Sequence, residues 1–483
     1  MTVTIQTPTP SSTPTRPPTP TRVPLNISAL FGFQNQATVS SPTPDVARIL
    51  PTPRQDALQY FVQPGDTLGG IAQQYNVSLQ SLMDANSITD PNALEVGMAL
   101  TIPSSQPSVS SGNALKIIPD SELVNSPSTI GFKLRDFVAS QNGYLNSYTE
   151  EVNGVFLNGA DIIEAVSFNY SVNPRILLAL LEYQSGWVTN PTPIYTDYPF
   201  GYAEPSRAGL YRQTMWAANT LNRGYYLWRA NAISTLVLPD GQIVPMDPTI
   251  NAGTAAVQYF YSELYGYETW LNATSQAGVI VTYFVFFDNP FNYAIEPLVP
   301  ANLSQPSMSL PYAVGESWYF TGGPHGGWDS GSAWSALDFA PPGEPGGCNI
   351  STNWVTAVTD GLITRTGIGS VIQDLDNDGY EQTGWVVLYM HVSATGRVEP
   401  GEYLFKNERI GHPSCEGGYS NATHLHIARK YNGEWISADG SIPFNFDGWV
   451  SSGSGIEYDG FLTRNAITIE ALDSAQEVNL VPR

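Results

Sequence analysis

Three kinds of hydrophobic spacing divide this 483-residue chain. In 58–103, Tyr60, Phe61 and Val62 open a short apolar run. Ile71, Tyr75, Leu79 and Leu82 follow at helical spacing, and 94–103 closes with a second extended run. The predicted order is strand, helix, helix, strand. Gly65-Asp66-Thr67 supplies a turn and the N-cap of the first helix. In 114–303 the apolar repeat is that of helices, in the segments 161–170, 175–184, 214–222 and 251–264. In 311–450 the period drops to two, and 385–391 and 423–428 alternate as strands. The expected fold class is therefore multidomain: a small βααβ module, a mostly α domain and an all-β antiparallel domain.

The connecting stretches differ in kind. Residues 1–57 begin with Thr-Pro repeats, which fix φ and remove donors, and so predict an extended linker or stalk. Residues 104–113 form a Ser/Gln/Pro linker. The tail, 451–483, is polar with alternating Ile and Leu and is expected to pack on the preceding sheet or on a neighbouring molecule.

Charge narrows the choice of partners. With 20 Lys and Arg against 43 Asp and Glu, the net charge is −23. That balance argues against nucleic acid and against adhesion to anionic surfaces by charge alone. No run is long enough to span a bilayer. The sequence as given opens without an n-region and h-region. Its composition still suggests an extracellular or cell-surface protein whose export signal has been removed.

The chemistry concentrates in the β domain. All five histidines lie there, and four of them, His325, His391, His424 and His426, form a candidate set with Asp338. In Thr423-His424-Leu425-His426, the two imidazoles sit at i and i+2 of a strand and share one face. Three protein ligands with an open position suit catalytic zinc, and a spare histidine suits proton transfer. The fifth histidine, His412, reads as a satisfied loop residue. Asp374, Asp376 and Asp378 alternate before Gly379, like the start of a calcium loop. The twelfth position is Trp385 rather than Glu, so the run is either a calcium-stapled hairpin or, the better supported reading, a solvated Asp-Gly turn.

The wide interval from His325 to Asp338, Tyr389-Met390-His391, the run 411–418 and His424-Leu425-His426 together resemble the LytM-type (M23) zinc endopeptidases, in their β-lytic form. The resemblance covers about 311–450. It implies zinc on His325, Asp338 and His426, with His424 as general base. His391 would stabilise an oxyanion or steer water. It also implies a disulfide between Cys348 and Cys415, the only cysteines. Trp328 and Trp334, between the first two ligands, are candidate groove residues.

Residues 58–103 resemble a LysM module from end to end. That family binds N-acetylglucosamine-containing glycans such as peptidoglycan. Its groove would here fall on Gly65, Asp66, Thr67, Leu68, Asn92, Ala93 and Leu94. Residues 172–187, with 208–213 and 247–254, weakly resemble lysozyme-like lytic transglycosylases. Gln184 stands where that family carries its acid, and an amide cannot protonate a leaving oxygen. A degenerate glycan-holding domain is expected, an unrelated helical spacer being the alternative.

The combined expectation is an extracellular zinc endopeptidase that cuts peptidoglycan cross-links and is held on glycan by LysM. A non-catalytic wall-binding scaffold is the alternative.

Overall fold

A computed structural model describes residues 48–483 apart from 64, 65, 92, 106, 108 and 110. The stalk reading of 1–47 lies outside the described residues, as do Gly65 and Asn92 of the expected glycan groove. Strand β1 (Leu58–Phe61), helices α1 (Leu68–Gln74) and α2 (Leu79–Asn86) and strand β2 (Ala99–Ile102) follow the predicted order. β1 and β2 pair antiparallel over a small core of Leu68, Ile71, Leu82, Leu100 and Ile102. Thr67 Oγ1 accepts from the amide of Gly70 at 3.0 Å, which makes it the expected cap of α1.

The middle region is helical, with two small hairpins. Its main helices are α3 (Gly159–Tyr170), α4 (Pro174–Ser185), α5 (Leu210–Arg229), α6 (Ala252–Ser262) and α7 (Val279–Phe287). Local sequence sets their ends. Asn158 caps α3 by accepting from Asp161 N at 2.9 Å. Asn173 caps α4, Pro174 occupies its first turn, and Gly186 ends it in the left-handed region at φ +69°.

The C-terminal region is a nine-stranded sheet. Its strands are β3 (Ser317–His325), β4 (Ala336–Ala340), β5 (Gly361–Thr366), β6 (Ser370–Asp374), β7 (Trp385–Met390), β8 (Tyr403–Leu404), β9 (Leu425–Tyr431), β10 (Glu434–Trp435) and the last strand, Leu480–Pro482. The order is β8-β5-β6-β7-β9-β4-β3 and then Leu480–Pro482, with β10 on β9, and every pair is antiparallel. The expected tail is thus structural. Its strand Leu480–Pro482 extends the sheet beside β3, and Trp449–Gly453, Gly460–Arg464 and Ile467–Glu470 build most of a separate four-stranded sheet.

Alternation sends the two faces of the large sheet into different cores. Leu337, Phe339, Val387, Tyr389 and Ile427 face back onto Trp449 and Leu462. Ala336, Ile372, Val386, Leu388, Met390 and Ala428 face forward into one core with Tyr170, Val172 and Tyr225 of the middle domain. Polar contacts lock that junction. Ser171 Oγ donates to Gly433 O at 2.6 Å, Trp435 N donates to the Tyr226 hydroxyl at 2.9 Å, and Arg229 pairs with Glu434 at 2.9 Å. Gly433 has φ +80°, and a Cβ there would meet Asn125 O at 2.2 Å. Gly433→Ala should therefore lower thermal stability by about 1–3 kcal/mol and loosen the junction. Limited proteolysis between 299 and 311 checks this.

Candidate metal and proton-transfer site

Register brings the candidate ligands together. On β9 the odd positions Leu425 and Ile427 enter the back core, so His426 faces forward. His426 pairs with Asp338 of β4 and with Met390 of β7. β3 is irregular: Gly322 pairs with Asp338, yet His325, three residues on, pairs with Ala336. The extra residue turns His325 onto the face of Asp338; in unbroken register it would point to the back. Gly322 is required opposite the acid, because a Cβ there would lie 2.6 Å from Asp338 Oδ2.

His325, Asp338 and His426 are all buried, and their ligand atoms lie within reach of one ion. His325 Nε2 is 2.9 Å from His426 Nδ1. Asp338 Oδ1 is 3.3 Å from the first and 3.2 Å from the second. The other nitrogen of each ring is committed to a backbone oxygen: His325 Nδ1 to Gly323 O at 2.7 Å, His426 Nε2 to Gly327 O at 3.1 Å. A neutral imidazole has one N–H. Both protons are therefore spent on carbonyls, and three acceptor atoms face one another. Asp338 Oδ1 is left as a buried oxygen with no donor. A cation resolves this arrangement, and the N, N, O donor set fits zinc. The same field acts on protons. Burial opposes a charged His325, but Asp338 outweighs it and moves that pKa up. Burial likewise opposes charge on Asp338, but His325 and His424 hold it well below the usual carboxylate range.

His424 and His391 flank this set, with ring centroids 4.4 Å apart. His424 Nδ1 lies 2.8 Å from Ala422 O, which leaves Nε2 bare, 3.8 Å from Asp338 Oδ2. His391 follows β7 directly and has φ +64°, a left-handed backbone that costs energy in a residue other than glycine. Burial, then His424 and His426, push its pKa down to about 3, so its ring is neutral at ordinary pH.

The tail supplies a residue that periodicity does not reveal. Tyr458, φ +67°, stacks on His325 with centroids 4.2 Å apart. Gly323 N donates to Tyr458 O at 2.7 Å, and Tyr458 N donates to Pro324 O at 3.1 Å. Its only mark in the sequence is a tyrosine in a Gly/Ser-rich turn.

The middle domain grips the loop between the first two ligands. Tyr170 donates to Asp329 Oδ2 at 2.9 Å, Asn219 Nδ2 to Ser330 Oγ at 3.2 Å, and Gly331 N to Asn219 Oδ1 at 2.7 Å. Trp328 packs edge-on to Tyr170, and the carbonyl of Trp334 accepts from Ala438 N at 2.7 Å. Trp328 thus serves the domain junction.

The remaining candidates fall elsewhere. Cys348 and Cys415 form a disulfide. His412 Nδ1 lies 2.8 Å from Asn353 O against the ring of Trp354, a satisfied loop histidine. Asp374, Asp376 and Asp378 meet, but their oxygens accept from the loop itself: Asp376 N and Gly379 N on Asp374, Asp378 N on Asp376, and Tyr380 N and Thr383 Oγ1 on Asp378. The calcium reading gains no support from these contacts, and the run behaves as an Asp-Gly turn.

Asp66 accepts from the Tyr60 hydroxyl and from Gln63 N, both at 2.7 Å. Thr67 and Ala93 are exposed and Leu94 is partly so. Leu68 is 1% exposed, so its side chain belongs to the LysM core and only its backbone could touch glycan. Gln184 is fixed by Phe200 O at 3.0 Å and by the Tyr265 hydroxyl. Glu182 accepts from Val188 N at 3.0 Å and Thr189 N at 3.1 Å. Its carboxylate closes the turn after α4 and does not stand in for an acid at 184.

Comparison with known proteins agrees with this layout. Residues 60–103 match the LysM domain family, and 116–301 match the LasA N-terminal domain family. The second match lends the lysozyme-like reading of the middle domain no support. Protease LasA of Pseudomonas aeruginosa is 26% identical over 307 residues, covering 58% of this chain and 68% of LasA. Among solved structures, the M23 metalloprotease pseudoalterin from the deep sea is 26% identical, covering 35% of this chain and 96% of its own, at a TM-score of 0.29. The catalytic domain of lysostaphin from Staphylococcus simulans is 27% identical, covering 26% of this chain and 89% of its own, at a TM-score of 0.19. No helix among the described residues is long and apolar enough to cross a membrane. The chain is thus similar to protease LasA over 58% of its length, with a match to the LysM domain family ahead of a match to the LasA N-terminal domain family.

Proposed function

We propose that this protein is an extracellular zinc endopeptidase that cuts short peptide cross-links of peptidoglycan. The observation that carries the reading is the buried meeting of His325 Nε2, His426 Nδ1 and Asp338 Oδ1, 2.9 to 3.3 Å apart. Zinc held there would polarise a carbonyl and lower the pKa of a bound water towards about 7. His424 offers a bare Nε2 beside the set and accepts the proton. His391 donates Nδ1–H to Glu416 O at 3.2 Å, so its Nε2 is an acceptor and steers water better than it would stabilise an oxyanion. Tyr458 holds the His325 ring in plane by stacking. Gly323 and Gly327 hold the ligand rings, as outer partners of metal-bound histidines do.

The LysM module supports a glycan-containing target, and the likeness to protease LasA supports peptide-bond cleavage. The net charge of −23 makes shaped contacts, not charge, the means of holding an anionic wall. The LysM module raises local concentration without changing chemistry. Blocking it with soluble N-acetylglucosamine oligomers should slow cleavage of intact walls about 10-fold or more. Hydrolysis of a short soluble cross-link peptide should be untouched. Digestion of purified walls, followed by counting of free amino termini and of reducing sugar ends, tests the whole reading. New amines with no new sugar ends are expected, since Gln184 supplies no acid. Wall binding without amine release would favour a scaffold.

A further inference from the structure

We infer that Glu416 is a positioning residue for His391, an inference that rests on the peptidase reading above. Both ends of Glu416 act on one short segment. Its backbone carbonyl accepts from His391 Nδ1 at 3.2 Å. Its carboxylate accepts from Ser393 Oγ and Ala394 N, each at 2.8 Å. Ser414, two residues earlier, holds the other side: its amide donates to His391 O at 2.6 Å, its hydroxyl to the same oxygen at 3.0 Å, and Glu416 N returns to Ser414 Oγ at 3.0 Å.

The segment so clamped contains the left-handed His391, a conformation that persists only when its surroundings over-determine it. Two further features bring the segment up to the ring, and the carboxylate then fixes where its carbonyl rests. The turn between β5 and β6 lies against it, since a Cβ on Gly369 would fall 1.8 Å from Glu416 O. The neighbouring Cys415 is tied to Cys348, which closes 67 residues of chain.

The consequence is chemical. A neutral imidazole carries its proton on one nitrogen, and the hydrogen bond at the other end of the ring decides which. With Glu416 O at Nδ1, Nε2 is kept bare for the reaction. The ligand rings take their fixing contacts from Gly323 and Gly327, so this clamp governs His391 without holding the metal set.

The test uses the full chain loaded with zinc. Glu416→Ala should lower kcat about 10-fold with KM and zinc content unchanged. Nitrogen NMR of the histidines should show His391 passing from a single Nδ1–H form to a mixture. Glu416→Gln, which still offers an acceptor oxygen to Ser393 or Ala394, should restore most of the rate and the single tautomer. Unchanged kcat in Glu416→Ala, an unchanged His391 tautomer, or a fall in rate matched by zinc loss would each overturn the inference. If the wild type cuts no peptide, the peptidase reading fails, while the tautomer measurement still decides the role of Glu416.

Discussion

His424→Ala is expected to cut turnover by about 10² to 10⁴ while one zinc per chain is retained. In the proposed mechanism the ring would accept the proton without ligating the metal: its Nδ1 is committed to Ala422 O, and its Nε2 stands 3.8 Å from Asp338 Oδ2. His426→Ala makes the matching contrast. It removes a donor from the cation set, so zinc and activity should be lost together. Metal analysis alongside kcat separates the two variants. If His424→Ala loses zinc as His426→Ala does, the assignment of roles is wrong.

The largest expected effect on stability lies in the middle domain. Glu122 is completely buried and accepts from Arg175 at 2.9 Å, from Asn173 Nδ2 at 3.1 Å and from the Tyr283 hydroxyl. Arg175 also donates to Ser128 O at 3.1 Å and lies over the rings of Phe132 and Tyr293. Glu122→Ala leaves the guanidinium buried without its counter-charge and should cost about 3–5 kcal/mol. Replacing both partners with apolar residues of similar size should recover much of that loss. Denaturant unfolding of the single and double variants checks both statements. A single variant as stable as the wild type would show that water reaches Arg175.

Much of this site was legible in sequence because each cue was local. The i, i+2 spacing of His424 and His426 fixes a shared face once 423–428 is a strand. Helical repeats marked α3 to α6. What escaped depends on contacts distant in the chain. The irregular register that turns His325 forward is decided by pairing with β4. Tyr458 reaches His325 across more than a hundred residues because the tail folds back onto the sheet. The grip of Tyr170 and Asn219 on the loop after His325 belongs to the packing of one domain on another. The lysozyme-like reading relied on short look-alike segments and could not weigh the side chains around them. The structure shows Gln184 and Glu182 both committed to local hydrogen bonds.

The most direct measurement of the central claim is a zinc titration of metal-free protein with bound metal and peptide-bond cleavage followed on the same samples. Cleavage should rise in proportion to bound zinc, saturate at one ion per chain, and be absent from Asp338→Ala, which should bind no zinc. Binding to walls that is equal with and without zinc, with no amine released at saturation, would contradict it.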